Sequence, residues 1–244
     1  MADSETVVQN GTNAEDVQDA PDAPDAADPA VPPEDVVNGP EPDEPDPDGD
    51  GELAPPGEQV ETYFSTPGQE VGVAGLAPES GPLPVRTVPA GDGMQIGEID
   101  RLGAVTLAGR EWNNPGQEDE GYWAEIHVDG KTGWVLSDHL FHFGENANVT
   151  GEYEGVPQSG DPMGVVEAVA SQSAGMEPAH WTLISTPQDF GEPFYRVDVT
   201  GMPDDAQAGE RLFITVDENN GSFGVGQVDR TLVCARGTSG GMCL

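Results

Sequence analysis

The sequence predicts an all-β fold in which two consecutive antiparallel β units follow a long acidic segment. From Leu83 onward, short runs of alternating apolar residues are separated by clusters of glycine, proline, asparagine and aspartate, as in strands joined by turns. Before residue 60, apolar side chains are few and carboxylates and prolines dominate, so no core is expected there.

Residues 1–68 are predicted to be a disordered, acidic, proline-rich tether. Positions 1–60 contain 18 acidic residues and no lysine or arginine. Like charges repel, and the few apolar side chains bury too little surface to offset the entropy lost on ordering. Such a segment either spaces a folded domain from an anchor or serves only as a solubilising leader, and the sequence leaves both interpretations open.

The clearest strand pattern lies in the centre of the chain. Between Tyr122 and Val128, large or polar side chains alternate with small and aliphatic ones, which distinguishes the two faces of one strand. Asp129 and Gly130 form a tight-turn pair, and Gly133–Leu136 reads as the returning strand. Together these segments predict a β-hairpin.

The central stretch resembles a bacterial SH3 (SH3b) domain over residues 69–143, because five short blocks follow the order of that family. The blocks are Leu83-x-Val85-Arg86, Ile96-Gly97-x-Ile99, Gly103-x-Val105, Tyr122-Trp123-x-x-Ile126 and Gly130-Lys131-x-Gly133-Trp134-Val135-x-x-x-x-Leu140. The loop before Tyr122 is longer than is usual in the family.

This resemblance implies a small, strongly bent SH3-like barrel and brings no catalytic residue with it. The matching glycines and the tryptophan are mostly structural in such domains. The side chains that the resemblance places in the core are Val85, Ile99, Val105, Ile126 and Val135.

The barrel is expected to be followed by a linker at 144–163 and a small antiparallel β domain at 164–244. The linker is rich in glycine, proline and asparagine, and strand-like runs recur from Trp181 to Val233. Val165–Val169 fits either a strand or a helix. The closing block Arg230-Thr231-x-x-Cys234-x-Arg236-Gly237-x-x-x-Gly241-x-Cys243 resembles the ends of uncharacterised exported actinobacterial proteins.

Cys234 and Cys243 are the only cysteines, and their spacing across a glycine-rich turn predicts a disulfide. Closing a loop of this length stabilises the folded state by roughly 2.5–3 kcal/mol in the chain-entropy model. A structural disulfide favours an oxidising compartment.

The charge of the chain limits its partners. There are 46 acidic and 8 basic residues, a formal net charge of −38, so nucleic acid and anionic lipid are poor partners. No apolar run approaches the roughly 20 residues that span a membrane. We expect an exported chain, secreted or lipid-anchored to the cell envelope, whose signal segment is not in the sequence; a cytoplasmic location is the alternative. The acidic composition also suits a high-salt habitat.

Three aromatic residues are the candidate ligand contacts, namely Trp112, Tyr122 and Trp134. Trp112 stands beside two asparagines in the long loop, and aromatic side chains near amides are typical of sugar or peptide recognition. The alternative is that all three residues are packed.

No catalytic, cofactor or metal site is predicted. Asp138, His139 and His142 lie close together, yet no helix aligns them as zinc ligands, so they are expected to be structural. A calcium-loop-like run begins at Asp46 but has Gly57 where the closing acid belongs. Nucleotide-binding and zinc-protease motifs are absent.

The sequence therefore predicts a non-catalytic exported binding module that recognises a cell-envelope component such as a peptidoglycan peptide or glycan. The alternative is a protein-interaction or scaffold subunit whose acidic surface binds a basic partner.

Overall fold

A computed structural model describes residues 57–115, 121–175 and 178–244. Residues 1–56 of the tether predicted over 1–68 lie outside the described residues, and so does the calcium-loop-like run that begins at Asp46, except for Gly57. All described residues belong to one compact unit.

The described strands divide between an N-terminal half (57–139) and a C-terminal half (140–244), and the two longest, β11 and β12, lie in the C-terminal half. The N-terminal half holds β1 (Glu58–Val60), β2 (Glu70–Val73), β3 (Leu83–Arg86), β4 (Gln95–Ile99), β5 (Ala104–Asn114), β6 (Gly121–Val128) and β7 (Lys131–Leu136). The C-terminal half holds β8 (Leu140–Asn148), β9 (His180–Ser185), β10 (Tyr195–Thr200), β11 (Gln207–Asn219), β12 (Ser222–Cys234), β13 (Thr238–Ser239) and β14 (Met242–Cys243).

The described residues contain few helices. They are α1 (Pro162–Ala174), the single turn α2 (Pro187–Phe190), and three 3-10 turns at Pro78–Ser80, Ser137–His139 and Thr150–Tyr153. None of the helices in the described ranges is long and apolar enough to cross a membrane.

Twelve of the strands form a single sheet in the order β4-β3-β7-β6-β5-β2-β8-β12-β11-β10-β9, with β1 beside β5. A second sheet consists of β13 and β14. The described pairings are antiparallel, which confirms the predicted all-β antiparallel fold.

The described residues contain two apolar cores, one in each half, and both begin before the predicted β units do. The first core draws its buried residues from Phe64 to Leu140 and includes the five expected side chains Val85, Ile99, Val105, Ile126 and Val135. The second core runs from Val149 to Val228 and lies between α1 and one face of the C-terminal strands.

The stretch expected as a linker, 144–163, carries ordered structure instead. Strand β8 continues through it to Asn148 and pairs with β2 on one side and β12 on the other, so it joins the two halves within one sheet. The structure also folds residues 57–68, the last part of the predicted tether, because β1 pairs with β5 and Phe64 enters the first core.

The ambiguous segment Val165–Val169 is helical. Asp161 precedes the helix and accepts a hydrogen bond from the Gly164 amide at 2.9 Å, and Pro162 occupies the first turn, where its missing amide proton costs nothing. Val165, Val166, Val169 and Ala170 then share one buried face at helical spacing.

A buried ion pair joins the two halves. Asp198 on β10 lies opposite Arg211 on β11, and Arg211 donates from Nε to Oδ1 at 2.6 Å and from Nη2 to Oδ2 at 2.8 Å. Arg211 Nη2 also donates to the Val73 carbonyl at 2.7 Å, and the Gly75 amide donates to Asp198 Oδ2 at 2.8 Å. The pair therefore holds the end of β2 against the C-terminal strands.

This ion pair is shielded from water. Asp198 is fully buried, Arg211 is 8% exposed, and the guanidinium carbon of Arg211 lies 4.9 Å from the centre of the Phe143 ring. A buried charge without its partner is strongly unfavourable, whereas a pair whose remaining oxygen and proton positions are hydrogen-bonded is tolerated.

We expect Asp198→Asn to lower the free energy of unfolding by about 3–5 kcal/mol, because Arg211 then stays buried without a counter-charge. The matched control is Asp205→Asn, which removes an exposed pair with Arg236 and should change the free energy of unfolding far less. Urea titrations followed by tryptophan fluorescence measure both. Equal losses in the two proteins would contradict the role given to the ion pair.

Candidate functional site

An open aromatic concavity lies at the edge of the N-terminal half. It has a volume of about 460 Å³ and is lined by Glu61, Thr62, Tyr63, Phe64, Tyr122 and Ser137. Tyr63 and Tyr122 are 44% and 47% exposed, so their rings reach solvent while Phe64 closes the floor. We call this concavity the tyrosine pocket.

Strand alternation explains why Tyr122 reaches this pocket. Tyr122 belongs to the face of β6 that also carries Ala124 and Ile126, and those two residues are fully buried in the first core. Tyr122 stands near the start of the strand, beyond the end of that core, so its ring remains accessible.

The opposite wall of the pocket is fixed by hydrogen bonds to buried groups. Thr62 donates from its amide to Glu111 Oε2 at 2.6 Å, and its hydroxyl donates to Glu111 Oε1. Glu111 is only 1% exposed. The guanidinium carbon of Arg236 lies 5.7 Å from the centre of the Tyr63 ring, which occupies one ring face.

His142 supports the pocket from below. Its ring stacks on Phe64 with a centroid distance of 5.5 Å, and its Nε2 lies 3.1 Å from the Tyr63 carbonyl oxygen. Because a carbonyl only accepts, Nε2 carries the proton. Burial lowers the pKa of His142, and the hydrogen bond to Tyr63 only partly opposes this.

The other two predicted ligand contacts lie on the opposite face of the sheet. Trp112 is the register partner of Trp123, whereas Tyr122 pairs with Asn113, so Trp112 and Tyr122 point to different sides. Trp112 meets Trp134 edge-on, with ring centroids 6.3 Å apart. The structure therefore brings Trp112 and Trp134 together and leaves Tyr122 in the tyrosine pocket.

Trp134 is packed rather than open. It is 6% exposed, and the guanidinium carbon of Arg110 lies 5.3 Å from its ring centre while Arg110 pairs with the buried Glu125. A ligand reaches more of Tyr122 than of Trp134. That any of the three residues binds a ligand stays a prediction.

The three polar residues considered as zinc ligands have separate roles. His139 Nδ1 lies 3.2 Å from the Ala74 carbonyl oxygen, His142 faces Tyr63, and Asp138 is exposed. Within the described ranges, no group of three or more histidine, cysteine or acidic residues is arranged to hold a metal ion.

The predicted disulfide between Cys234 and Cys243 is present, with Cα atoms 5.1 Å apart. It ties the end of β12 to β14, and the Gly241 carbonyl between the two cysteines accepts the Glu145 amide at 2.6 Å. The closing segment is therefore fastened to β8. The disulfide indicates an oxidising environment for the folded protein.

Sequence reasoning missed a buried titratable cluster under α1. Tyr153 and Glu210 are 3% and 4% exposed, and the Ser173 hydroxyl donates to Glu210. Burial is the main cause that raises the pKa of Tyr153 to about 12, and burial also raises the pKa of Glu210. The cluster joins α1 to β11. No local motif could have revealed it, because its members lie 20 to 57 positions apart.

Comparison of the chain with protein-family models, with curated proteins and with solved structures returned no match. The resemblance of residues 69–143 to bacterial SH3 domains therefore stays a prediction.

We expect the stability of the protein to fall more steeply than that of a His142→Gln protein as pH drops below about 6.5. In the unfolded protein the His142 imidazole takes up a proton near that pH, whereas in the folded protein burial disfavours protonation. The contribution of His142 to the free energy of unfolding is therefore complete above about pH 6.5 and declines below it. Glutamine retains a donor for the Tyr63 carbonyl.

Urea titrations at pH 7.5 and 5.5 measure this difference. The protonation of all other groups is common to both proteins and cancels in the comparison. Between these two pH values, the free energy of unfolding of the wild type should fall by up to about 1.4 kcal/mol more than that of His142→Gln. Identical losses in the two proteins would show that His142 does not carry the effect.

Proposed function

We propose that this protein is a non-catalytic, exported binding module that recognises a cell-envelope component, such as a peptidoglycan peptide or glycan, through the tyrosine pocket. The observation that carries the proposal is the pair of half-exposed rings, Tyr63 and Tyr122, around a concavity of about 460 Å³. Tyrosine supplies a flat apolar ring and a hydroxyl, which suits both sugar rings and peptide groups.

The architecture around the pocket supports a preformed site. Thr62 is fixed to Glu111, Tyr63 is held through its carbonyl by His142, and Ser137 Oγ donates to the Tyr122 carbonyl at 2.8 Å. These bonds fix the Thr62 side chain and the backbone at Tyr63 and Tyr122, so the wall loses little backbone entropy when a ligand binds, and this favours affinity from a small contact area.

The disulfide supports export. Structural disulfides persist in oxidising compartments, which favours a location of the folded part of this chain outside the reducing cytoplasm. We further propose that the protein is secreted or anchored by a lipid, and that the part of the predicted tether before residue 57 spaces the binding module from the envelope.

The proposal assigns no catalytic residue and no cofactor. Tyr153 and Glu210, whose pKa values burial raises, lie beneath α1 with 3% and 4% exposure, where a substrate has no access. Among the described residues that line the tyrosine pocket, Glu61 is the only acid and none is a base.

A second candidate function is an interaction subunit whose acidic surface binds a basic protein. Of the eight cationic side chains, all within the described ranges, five form ion pairs: Arg110, Arg196, Arg211, Arg230 and Arg236. The described ranges contain 25 acidic residues, so most carboxylates have no cationic partner among them. Binding led by these charges weakens as salt increases, whereas aromatic contacts resist it.

We expect the wild type to co-sediment with purified bacterial sacculi at both 0.05 M and 1 M NaCl and Tyr122→Ala to bind at least about fivefold more weakly. Phe190→Ala is the matched control, since Phe190 is a similarly exposed aromatic residue on α2. Trp112→Ala tests the opposite face of the sheet.

Three outcomes would overturn the proposed site. Loss of binding in Trp112→Ala with full binding in Tyr122→Ala moves the contact to the opposite face. Binding that disappears at 1 M NaCl favours the basic-partner candidate. No sedimentation at either salt concentration removes the cell-wall ligand altogether.

A further inference from the structure

We propose that a second cleft in this protein binds a primary ammonium group, such as the side-chain terminus of a lysine-type residue in a peptide. The cleft has a volume of about 340 Å³ and lies where the two halves meet. Its lining includes Asp138, His139 and Phe141 from one side and His180, Met202 and Asp204 from the other. We call it the seam cleft.

The first support is the set of hydrogen-bond acceptors. His139 Nδ1 lies 3.2 Å from the Ala74 carbonyl, which only accepts, so Nδ1 donates to it and Nε2 is the ring nitrogen left to accept. Asp138 and Asp204 add two carboxylates. An ammonium group has three N–H donors and no acceptor, and three acceptor groups in one cleft match that inventory.

The second support is that, among the described residues, no permanently charged cation lines the seam cleft: the lining holds two histidines but no lysine or arginine. Arg236, whose charge also acts on Asp204, is engaged by Asp205 at 2.7 Å. Asp204 is fixed in place, because its Oδ1 accepts the Ala206 and Gln207 amides at 2.8 and 2.9 Å.

The third support is the apolar part of the lining. Phe141, Met202 and Ala208 line the seam cleft together with Gly75 and Gly201, so an alkyl chain leading to the ammonium group has surface to cover. A bare metal ion fits less well, since the described residues hold no metal-binding group of three or more histidine, cysteine or acidic side chains.

Ammonium binding in the seam cleft goes beyond the proposed function, and its test does not depend on ligand binding in the tyrosine pocket. Ser137 lines the tyrosine pocket, and the next two residues, Asp138 and His139, line the seam cleft. Consecutive residues of the 3-10 turn Ser137–His139 therefore line two different sites.

Two peptides test the proposal on the full ¹⁵N-labelled chain: acetyl-Ala-Ala-Lys-amide and the norleucine peptide, which lacks only the terminal ammonium. Two-dimensional amide NMR at 0.15 M NaCl should show the lysine peptide shifting the resonances of Gly75, Gly201 and Ala208. Asp138→Asn and His139→Gln should each weaken this binding by about fivefold or more. Both substitutions retain a polar side chain of similar size, and glutamine still offers a donor to the Ala74 carbonyl.

Glu98→Gln on the edge strand β4 is the charge-matched control, since it changes the net charge by the same amount as Asp138→Asn. Unchanged lysine-peptide affinity in Glu98→Gln supports a specific site. The proposal is overturned if the norleucine peptide produces the same shifts, if no shift occurs, or if Glu98→Gln weakens binding as much as Asp138→Asn. Tyr122→Ala should leave lysine-peptide binding intact, so failure here is distinguishable from failure of the tyrosine pocket.

Discussion

The buried pair of Asp198 and Arg211 is the constraint on which the rest of the structure depends. Apolar surfaces tolerate many relative placements, whereas two buried charges that bond to each other and to backbone groups accept few. Here the pair also engages the Val73 carbonyl and the Gly75 amide, so it fixes the end of β2 to the C-terminal strands. Strand β8 joins the same halves through the sheet. The two halves, each with its own core, thereby form one compact unit. The seam cleft lies at the junction between them.

Both proposed binding sites follow from this junction and from the acidic composition. The tyrosine pocket lies on the N-terminal half, yet Arg236 from the C-terminal half covers one face of Tyr63. The seam cleft draws residues from both halves. Because most carboxylates lack a cationic partner among the described residues, the surface favours neutral or cationic ligands and repels polyanions. As proposed, the tyrosine pocket would bind a neutral ligand by ring stacking, and the seam cleft would bind a cationic ammonium group.

Sequence patterns predicted the features that depend on local physics. Alternation between Tyr122 and Val128 predicted β6, and the turn at Asp129 and Gly130 indeed takes positive φ values at both residues. Val85 and Val135 are buried in the first core, as expected for them. The spacing of Cys234 and Cys243 predicted their disulfide, since a flexible glycine-rich loop lets the ends meet.

The remaining features depend on register and on distant partners. A register shift between Leu107 and Glu111 in the pairing of β5 with β6 decides which residues face Trp123, and no local pattern shows it. Asp198 and Val73 are 125 positions apart, so no helix or strand periodicity in the sequence shows that they meet. For the same reason, only the fold shows that β8 extends into the expected linker as far as Asn148 and that His139 and His180 line one cleft.

Native-state hydrogen exchange in increasing urea tests most directly whether the two halves form one cooperative unit. The amides of Val73 and Ile126 report on the N-terminal half, and those of Val199 and Ile214 report on the C-terminal half. The single junction predicts that all four converge on the same opening free energy, that of global unfolding. Two plateaus separated by more than about 2 kcal/mol would contradict it, because one half would then unfold while the other stays folded.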